Sequence, residues 1–385
     1  MMWEFATAGR ILFGPGTRRQ MATAARGLGS RALLVTGRHL ADESVWAGLE
    51  IDLDLRSATR FVVEGEPTID LVREGVRAYV ASQCDFVIGI GGGSVLDAGK
   101  AIAALATNPG DPLDYLEVIG SGRPLSATPA PCMAVPTTAG TGSEVTRNAV
   151  LGSPEHRRKA SLRHVAMLPR VAIIDPELTL TSPPAITAST GLDALTQVIE
   201  PYVSSRATPM TDVLCLEGIR RISRSLRTAV ASPDDLDART DMSYASLLGG
   251  LALANAGLGI VHGCAGPIGG MFPAPHGAVC AALLPYGIEE NFRALHARAP
   301  QHPAIDRYHH VAAAFTGSAN ATAGHLINAI EALCADLHIP RLRTYGIRPE
   351  HVEDIAREAQ RASSMKANPI ELTDAEVQAV IRAAC

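Results

Sequence analysis

A buried strand, three glycines and a helix follow one another in DFVIGIGGGSVLDAGKAIA, residues 85–103. Residues 85–90 are apolar enough for a strand covered on both faces, and helical spacing resumes behind Ser94. Gly91, Gly92 and Gly93 leave backbone N–H groups open to an anion. The helix start adds partial positive charge, and Ser94 is expected to cap it. Asp97 and Lys100 lie one turn apart, so both are expected to face whatever the loop holds. A tight strand-to-helix turn without a ligand would use the same residues.

Working outward, residues 31–36 read as a buried strand ended by Gly37, and residues 61–63 as another. Residues 68–82 have helical spacing, with Thr68 as N-cap behind Pro67. Residues 132–135 form a further strand, and residues 171–174 a last one, closed by Asp175 and Pro176. Strands alternating with helices imply a parallel sheet with crossovers. Between the last two strands lies TTAGTGSE (137–144), where Thr137, Thr138, Thr141 and Ser143 offer hydroxyls to a phosphate, a ribose or an amide. Two such loops at strand ends of one open sheet are where α/β folds bind nucleotides, so a dinucleotide is expected. Beyond TSPP (181–184) strand signals fade and alanine- and leucine-rich helical pattern runs to the end. The expected organisation is an α/β dinucleotide-binding domain over 1–180 and an all-helical metal and substrate domain over 181–385.

The 385 residues are 47% hydrophobic and 19% charged with a net charge of −5, which describes a globular protein. No basic run is dense enough for nucleic acid or an anionic membrane surface, and His156-Arg157-Arg158-Lys159 reads as a solvated loop. The cysteines at 84, 132, 215, 264, 280, 334 and 385 form no CxxC pair, which argues for reduced thiols and against a disulfide scaffold or a cysteine-built zinc site. The N-terminus lacks a basic region followed by an apolar core, and no apolar run is long enough to span a bilayer. A cytoplasmic protein is expected.

The second half holds GLDALTQVIE (191–200) and GLGIVHGCAGPIGGMFPAPHGAVCAALLP (257–285). Asp193 and Gln197 share a helical face at i and i+4, and a buried lone carboxylate is costly. His262 and His276 stand in a stretch almost free of charge, each followed by a glycine that leaves room for an approach. One carboxylate and two imidazoles form a plausible set for Zn2+ or Fe2+ with positions left open. Two core histidines satisfied by backbone partners, and an acid answering a helix dipole, would use the same residues. Cys264, Met271, Phe272 and Pro273 suggest an apolar pocket wall, and core packing would use them equally well.

GGGSVLDAGKAIA (91–103), PTTAGTGSEVTRNAV (136–150), IIDPELT (173–179), GLDALTQVIE (191–200) and VHGCAGPIGGMFPAPHGAVCAALLP (261–285) together resemble the iron-containing (group III) alcohol dehydrogenases, in order and over most of the chain. The resemblance implies a dehydroquinate synthase-like fold, an N-terminal nucleotide-binding domain and a C-terminal helical one, usually in a homodimer. It implies that Gly91, Gly92, Gly93 and Ser94 hold the pyrophosphate, with Asp97 and Lys100 beside the nicotinamide end. Thr137, Thr138, Thr141 and Ser143 would line the cofactor cleft, Lys159 would lie near the nicotinamide ribose, and Leu178 would pack by the adenine. The family's metal is held by an aspartate, a histidine four residues later, and two histidines of an HG…PHG segment. Asp193, His262 and His276 match three of these; Gln197 stands where the other histidine belongs, and an amide oxygen is a harder and weaker donor. Gly266 replaces another histidine common in the family. Gly37 and Arg38 follow the first strand where many NAD-specific members carry an acid, so NADP is expected to be tolerated alongside NAD.

The expected activity is interconversion of a small-molecule alcohol and its aldehyde or ketone by metal-assisted hydride transfer, with Asp193, His262 and His276 as catalytic metal ligands. A metal-independent reductase of the maleylacetate reductase type is the alternative that a degraded ligand set brings to mind. A dehydroquinate synthase would surround the site with basic residues for its anionic substrate, and residues 257–285 contain neither lysine nor arginine. A catalytically silent nucleotide-binding relative is the remaining reading.

Overall fold

The computed structural model describes residues 2–42 and 57–385; the rest of the expected 1–180 range, residue 1 and residues 43–56, lies outside the described residues. The chain divides into two compact units. One comprises Ala6–Thr138 and Gly142–Thr181, the other Ser182–Cys385 together with the N-terminal residues up to Phe5 and Ala139–Thr141.

The first unit is the α/β one. In chain order its main described elements, leaving aside a single helical turn at Pro112–Tyr115 and short 3-10 turns, are β1 (Ile11–Phe13), α1 (Met21–Arg26), β2 (Arg31–Gly37), β3 (Ser57–Val63), α2 (Ile69–Ala81), β4 (Phe86–Gly91), α3 (Gly93–Leu105), β5 (Cys132–Pro136), β6 (Asn148–Ser153), β7 (Arg158–Arg163) and β8 (Val171–Ile174). Among the described residues the main sheet is parallel, in the order β1-β8-β5-β4-β2-β3. Every residue of β4 is buried, as a parallel strand covered on both faces requires. Val87 packs on one side with Val72 and Ile102, while Ile88 and Ile90 pack on the other with Met21, Leu34 and Met133. That is the period of two expected of a strand.

Reading from β3 through β2 and β4 to β8, the chain's direction of travel reverses between β2 and β4. The carboxyl ends of strands flanking such a reversal form the crevice where open α/β sheets bind ligands. Gly37 closes β2, and Gly91–Gly93 joins β4 to α3, so two of the three expected cofactor stretches fall at this point, and the third, 137–144, follows the next strand, β5.

The structure departs from the sequence expectations in three places here. β1 and the antiparallel β6–β7 hairpin were not anticipated. Arg158 and Lys159 belong to β7, with only His156 and Arg157 left in the connecting turn, so that cluster is not simply a solvated loop. The N-cap of α3 is Gly92; Ser94 lies inside the first turn and makes no capping bond. Thr68, by contrast, does cap α2, its hydroxyl accepting the Leu71 N–H at 3.2 Å.

The second unit is helical: α4 (Pro184–Val203), α5 (Pro209–Ala231), α6 (Leu236–Ala256), α7 (Ile260–Met271), α8 (His276–Arg298), α9 (Ala304–Thr316), α10 (Ala323–Asp336), α11 (Val352–Arg361) and α12 (Asp374–Ala384). From Gly191 to Val203 all of α4 is buried, and Leu192, Leu195 and Val198 join Ile219, Leu226, Met242, Val279 and Leu283 in one core. Prolines interrupt the ladders of α4, α7 and α8. Pro285 cannot donate to the Ala281 carbonyl, and the Cys334 thiol donates to it instead at 3.6 Å. No single described helix is long and apolar enough to cross a membrane.

At the end of β8 the buried Asp175 carboxylate accepts from the backbone N–H of Gly16 (3.1 Å), Arg18 (3.0 Å) and Glu177 (3.0 Å), and from the Arg18 guanidinium at 3.2 Å. It therefore ties the β1 connection to the sheet. Asp175→Ala strips several half-buried donors of their acceptor at once, including the Arg18 guanidinium, and is expected to cost roughly 3 kcal/mol, read as a lowered midpoint in denaturant unfolding.

Candidate metal centre and cofactor loops

The helical unit brings four side chains from three helices to one point. Asp193 lies in the middle of α4, His262 in the first turn of α7, and His276 and Cys280 one turn apart at the start of α8. One donor atom from each lies within 4.8 Å of all the others. His262 Nε2 is 3.3 Å from Asp193 Oδ1, His276 Nε2 is 3.8 Å from the same oxygen, and Cys280 Sγ is 3.7 Å from His276 Nε2.

The electrostatics of this group are unusual for a protein interior. Asp193, Gln197 and His262 are all buried, yet Asp193 Oδ1, Gln197 Oε1 and His262 Nε2 have no hydrogen-bond partner. His262 Nδ1 is 2.7 Å from Glu200 Oε2, so in the neutral ring Nδ1 donates to the carboxylate and Nε2 turns a lone pair toward Asp193. Two electron-rich atoms facing each other at this distance repel unless positive charge joins them. Burial by itself would raise the Asp193 pKa, but His276 and His262 outweigh it and hold the carboxyl below its ordinary value. Burial likewise lowers the imidazole values, while Cys280 and Glu200 raise His262 well above its usual range, and Cys280 and Asp193 raise His276. The surroundings thus attract a cation. The donor set fits a divalent metal ion of the borderline class.

Glu200 does two jobs here. Its Oε1 accepts the Val261 N–H at 2.7 Å at the start of α7, where a helix start favours negative charge, and its Oε2 orients His262. Asn368 Oδ1 takes the neighbouring Ile260 N–H at 3.1 Å. Gly259 makes this possible, because a Cβ there would stand 2.7 Å from Asn368 Oδ1 and 3.0 Å from Glu200 Oε1. Gly277 similarly lets α8 start against α4, since a Cβ would lie 2.8 Å from the Ser189 carbonyl oxygen. The room left by Gly263 is taken by Met365. The glycines after the two histidines therefore admit the protein's own packing. On one side the group is open: His276 keeps 35% of its side-chain exposure. Cys264 lies fully in the core and is not a pocket wall, and Phe272 packs at that core's edge with its ring 4.9 Å from His351.

Glu200 and Cys280 were missed from the sequence. Each carried a signal: Glu200 falls at i+7 from Asp193 and Cys280 at i+4 from His276, the spacings that share a helical face.

In the α/β unit, Gly92, Gly93 and Ser94 are partly exposed at the start of α3, whose first N–H groups have no intrahelical acceptors. The Thr137 N–H donates to the Gly91 carbonyl at 2.9 Å, and Thr138 Oγ1 lies 3.4 Å from where a Gly92 Cβ would stand. The two loops are therefore side by side. This cradle suits a pyrophosphate. Asp97 and Lys100 serve the loops themselves. The fully buried Lys100 ammonium donates to the Ser143 carbonyl (2.9 Å) and Thr146 Oγ1 (3.0 Å) and pairs with Asp97 at 3.1 Å. Asp97 accepts from Ser143 Oγ and from the Val150 N–H at 2.8 Å. Lys100 is thus a buried anchor and is not presented to a ligand. Lys159 on β7 pairs with Glu66. Leu178 is buried with Met21, Leu40 and Ile173. Thr141 groups with the helical unit. The exposed Arg38 has Glu64 at 3.9 Å.

Residues 8–176 match the family model of the iron-containing alcohol dehydrogenases, and residues 187–385 match the C-terminal model of the same family. The chain is 37% identical over 391 residues to 1,3-propanediol dehydrogenase of Klebsiella pneumoniae, covering 100% of this chain and 99% of that protein. It is 38% identical over 332 residues to alcohol dehydrogenase 4 of Saccharomyces cerevisiae, covering 86% and 84% respectively. Among solved structures, a 1,3-propanediol oxidoreductase superposes with a TM-score of 0.90 at 35% identity, covering 100% of both chains. Sulfoacetaldehyde reductase from Bifidobacterium kashiwanohense, solved in complex with NAD+, gives 0.86 at 30% identity, covering 99% of this chain and 98% of its own. These matches, over both units, place the chain in a class of oxidoreductases. The chain belongs to the iron-containing alcohol dehydrogenase family.

Glu144, fully buried in the second loop, has its carboxyl pushed up to about 7 from 4.5 by burial, against smaller opposing effects of a backbone hydrogen bond and Lys100. The folded state then keeps a proton that the unfolded chain releases. Stability from this group is complete below about 4.5 and is lost as pH rises through about 7. Glu144→Gln is expected to flatten the fall in urea midpoint across that window.

Proposed function

We propose that the protein is an NAD(P)-dependent alcohol dehydrogenase that interconverts a primary or secondary alcohol and its aldehyde or ketone. The observation that carries this is the set of buried, unpartnered atoms Asp193 Oδ1, His262 Nε2 and Gln197 Oε1 beside His276. Asp193, His262 and His276 would hold a divalent ion, Fe2+ or Zn2+, with Gln197 as a weaker further donor. Such an ion would supply Lewis acidity toward a substrate oxygen, and a nicotinamide cofactor would supply or take up the hydride.

The chain's own residues do the rest. Glu200 keeps the proton on His262 Nδ1 and so keeps the Nε2 lone pair available. Gly91, Gly92, Gly93 and Ser94 receive the pyrophosphate on the start of α3, and Thr137, Thr138, Thr141 and Ser143 line the cofactor. Asp97 and Lys100 hold the second loop in place for it. Lys159 and Leu178 flank the ribose and adenine in the same reading. The NAD+ complex of the sulfoacetaldehyde reductase supports a nicotinamide cofactor. Arg38 supports tolerance of NADP, because its pair with Glu64 at 3.9 Å is exposed on both sides, weak, and open to competition from a 2′-phosphate. A cytoplasmic homodimer acting on a small molecule, without nucleic acid or membrane, completes the proposal, and the free cysteines suit a reducing compartment.

An alcohol and aldehyde panel with both cofactors tests the reading. Activity is expected to disappear after exhaustive chelation and return with Fe2+ or Zn2+, and NADP(H) is expected to support turnover. Full activity of metal-free protein, above all on maleylacetate, would favour the metal-independent reductase. Strict NAD(H) dependence would remove the role given to Arg38.

Glu200→Gln leaves the size of the side chain and removes its charge. Metal affinity is expected to fall about 10- to 100-fold, measured as metal retained through dialysis, with the circular dichroism spectrum unchanged.

A further inference from the structure

We propose that Cys280, and not Gln197, supplies the fourth protein donor of the metal centre, and that its thiolate makes the centre a zinc site. The inference rests on the metal centre proposed above and concerns a residue outside the family's ligand pattern.

Geometry carries it first. Zinc holds nitrogen and oxygen ligands at roughly 2.0–2.2 Å and thiolate at roughly 2.3 Å, which in a tetrahedron sets the donors roughly 3.3–3.7 Å apart. Asp193 Oδ1 and His262 Nε2 are separated by 3.3 Å, and His276 Nε2 and Cys280 Sγ by 3.7 Å. His276 Nε2 and Asp193 Oδ1 are separated by 3.8 Å, and the remaining pairs lie within 4.8 Å. Three of the six donor pairs thus have close to tetrahedral spacing, and the other three are near enough for small side-chain adjustments to bring all four atoms onto one ion.

A buried cysteine is by itself an ordinary core residue, and Cys215 and Cys264 are such residues, packed among aliphatic side chains. Cys280 differs in what faces it. The unpartnered Asp193 Oδ1 belongs to a residue only 1% exposed and the unpartnered His262 Nε2 to one 8% exposed, and both atoms lie within 4.8 Å of its sulfur. These atoms call for a cation independently of the cysteine.

Donor chemistry then separates the two candidates for the fourth place. Gln197 offers a neutral, hard amide oxygen. Cys280 offers a soft anionic sulfur, which with Asp193 balances the charge of a divalent ion. Thiolate together with imidazole selects zinc, whereas oxygen-rich sets suit harder ions. Binding replaces the sulfur–proton bond of Cys280 by a metal–sulfur bond and releases the proton to solvent, with no change of oxidation state.

The test loads metal-free full-length protein with Co2+ and records the near-ultraviolet spectrum for sulfur-to-cobalt charge transfer. Wild type is expected to show the band and Cys280→Ser to lose it, while Gln197→Ala keeps it. Zinc affinity, measured by competition with a chromophoric chelator, is expected to fall by on the order of 100-fold or more in Cys280→Ser, and much less in Gln197→Ala. Iron-to-zinc ratios in protein loaded anaerobically from an equimolar mixture are expected to shift toward iron in the serine variant. Cobalt bound without the band in wild type would overturn the inference while leaving the metal-dependent reading intact. Failure of wild type to bind cobalt or zinc at all would overturn both. The wild-type spectrum decides the point even if the serine variant does not fold.

Discussion

The Glu200–His262 contact is the interaction on which the helical unit's chemistry depends. One carboxylate oxygen holds the first turn of α7, and the other fixes which nitrogen of His262 carries the proton. Without that choice of tautomer, Nε2 could satisfy itself by donating to Asp193 and no lone pair would face the centre. With it, two acceptors confront each other across 3.3 Å. A lone buried carboxylate already costs several kcal/mol relative to solvent, so the fold tolerates this confrontation only because positive charge can enter. Proton uptake by the histidines and capture of a divalent ion are two answers to the same local field. The four donor atoms that α4, α7 and α8 bring within 4.8 Å of one another fit the second.

The cofactor loops are held by the same kind of device placed elsewhere. Lys100 and Asp97 form an ion pair beside the loops, and their remaining hydrogen-bonding capacity goes to Ser143, Thr146, the Asn148 carbonyl and the Val150 N–H. A loop rich in glycine and threonine has high conformational entropy, and these bonds hold it while leaving Thr137 and Thr138 partly exposed. A charged pair under the loop and a carboxylate beside the imidazole thus serve one purpose. Each fixes the group that meets a ligand by satisfying its neighbours first.

The parts of this arrangement legible in the sequence were those written as periodicity or as local loop chemistry. β4 and α3 could be read because an apolar run ends in three glycines, and α2 because Thr68 and the spacing of Ile69, Val72 and Tyr79 agree. β1 was missed since three residues carry no period, and the β6–β7 hairpin because its alternation is diluted by Arg158, Lys159 and Ser161. The cap of α3 was misplaced by one preference overriding another: serine is a good N-cap, but Gly92 occupies that position. Lys100 was read as facing a ligand because helical spacing gives a face and not what covers it. Cys280 and Glu200 were passed over for a related reason, since a shared helical face does not say what it meets. Their partners lie up to 87 positions away in the chain, from Asp193 to Cys280, and only the packing of α4, α7 and α8 makes them neighbours.

Charge balance sets the limits within which such a centre can work. An ion held by one carboxylate and three neutral donors keeps part of its positive charge for a substrate oxygen. A carboxylate and a thiolate together neutralise it, so retention strengthens while polarising power declines. Burial opposes that decline, because each remaining interaction is stronger where water is excluded. The exposed edge of His276 is then the place where the balance is struck. His276 is the partly exposed member of the group, whereas Glu200, Asn368 and Met365 pack against the first turn of α7. Exchanging an imidazole at position 197 for an amide therefore need not empty the centre, provided that a neighbouring helix offers a stronger donor at the right distance, and α8 does so at Cys280.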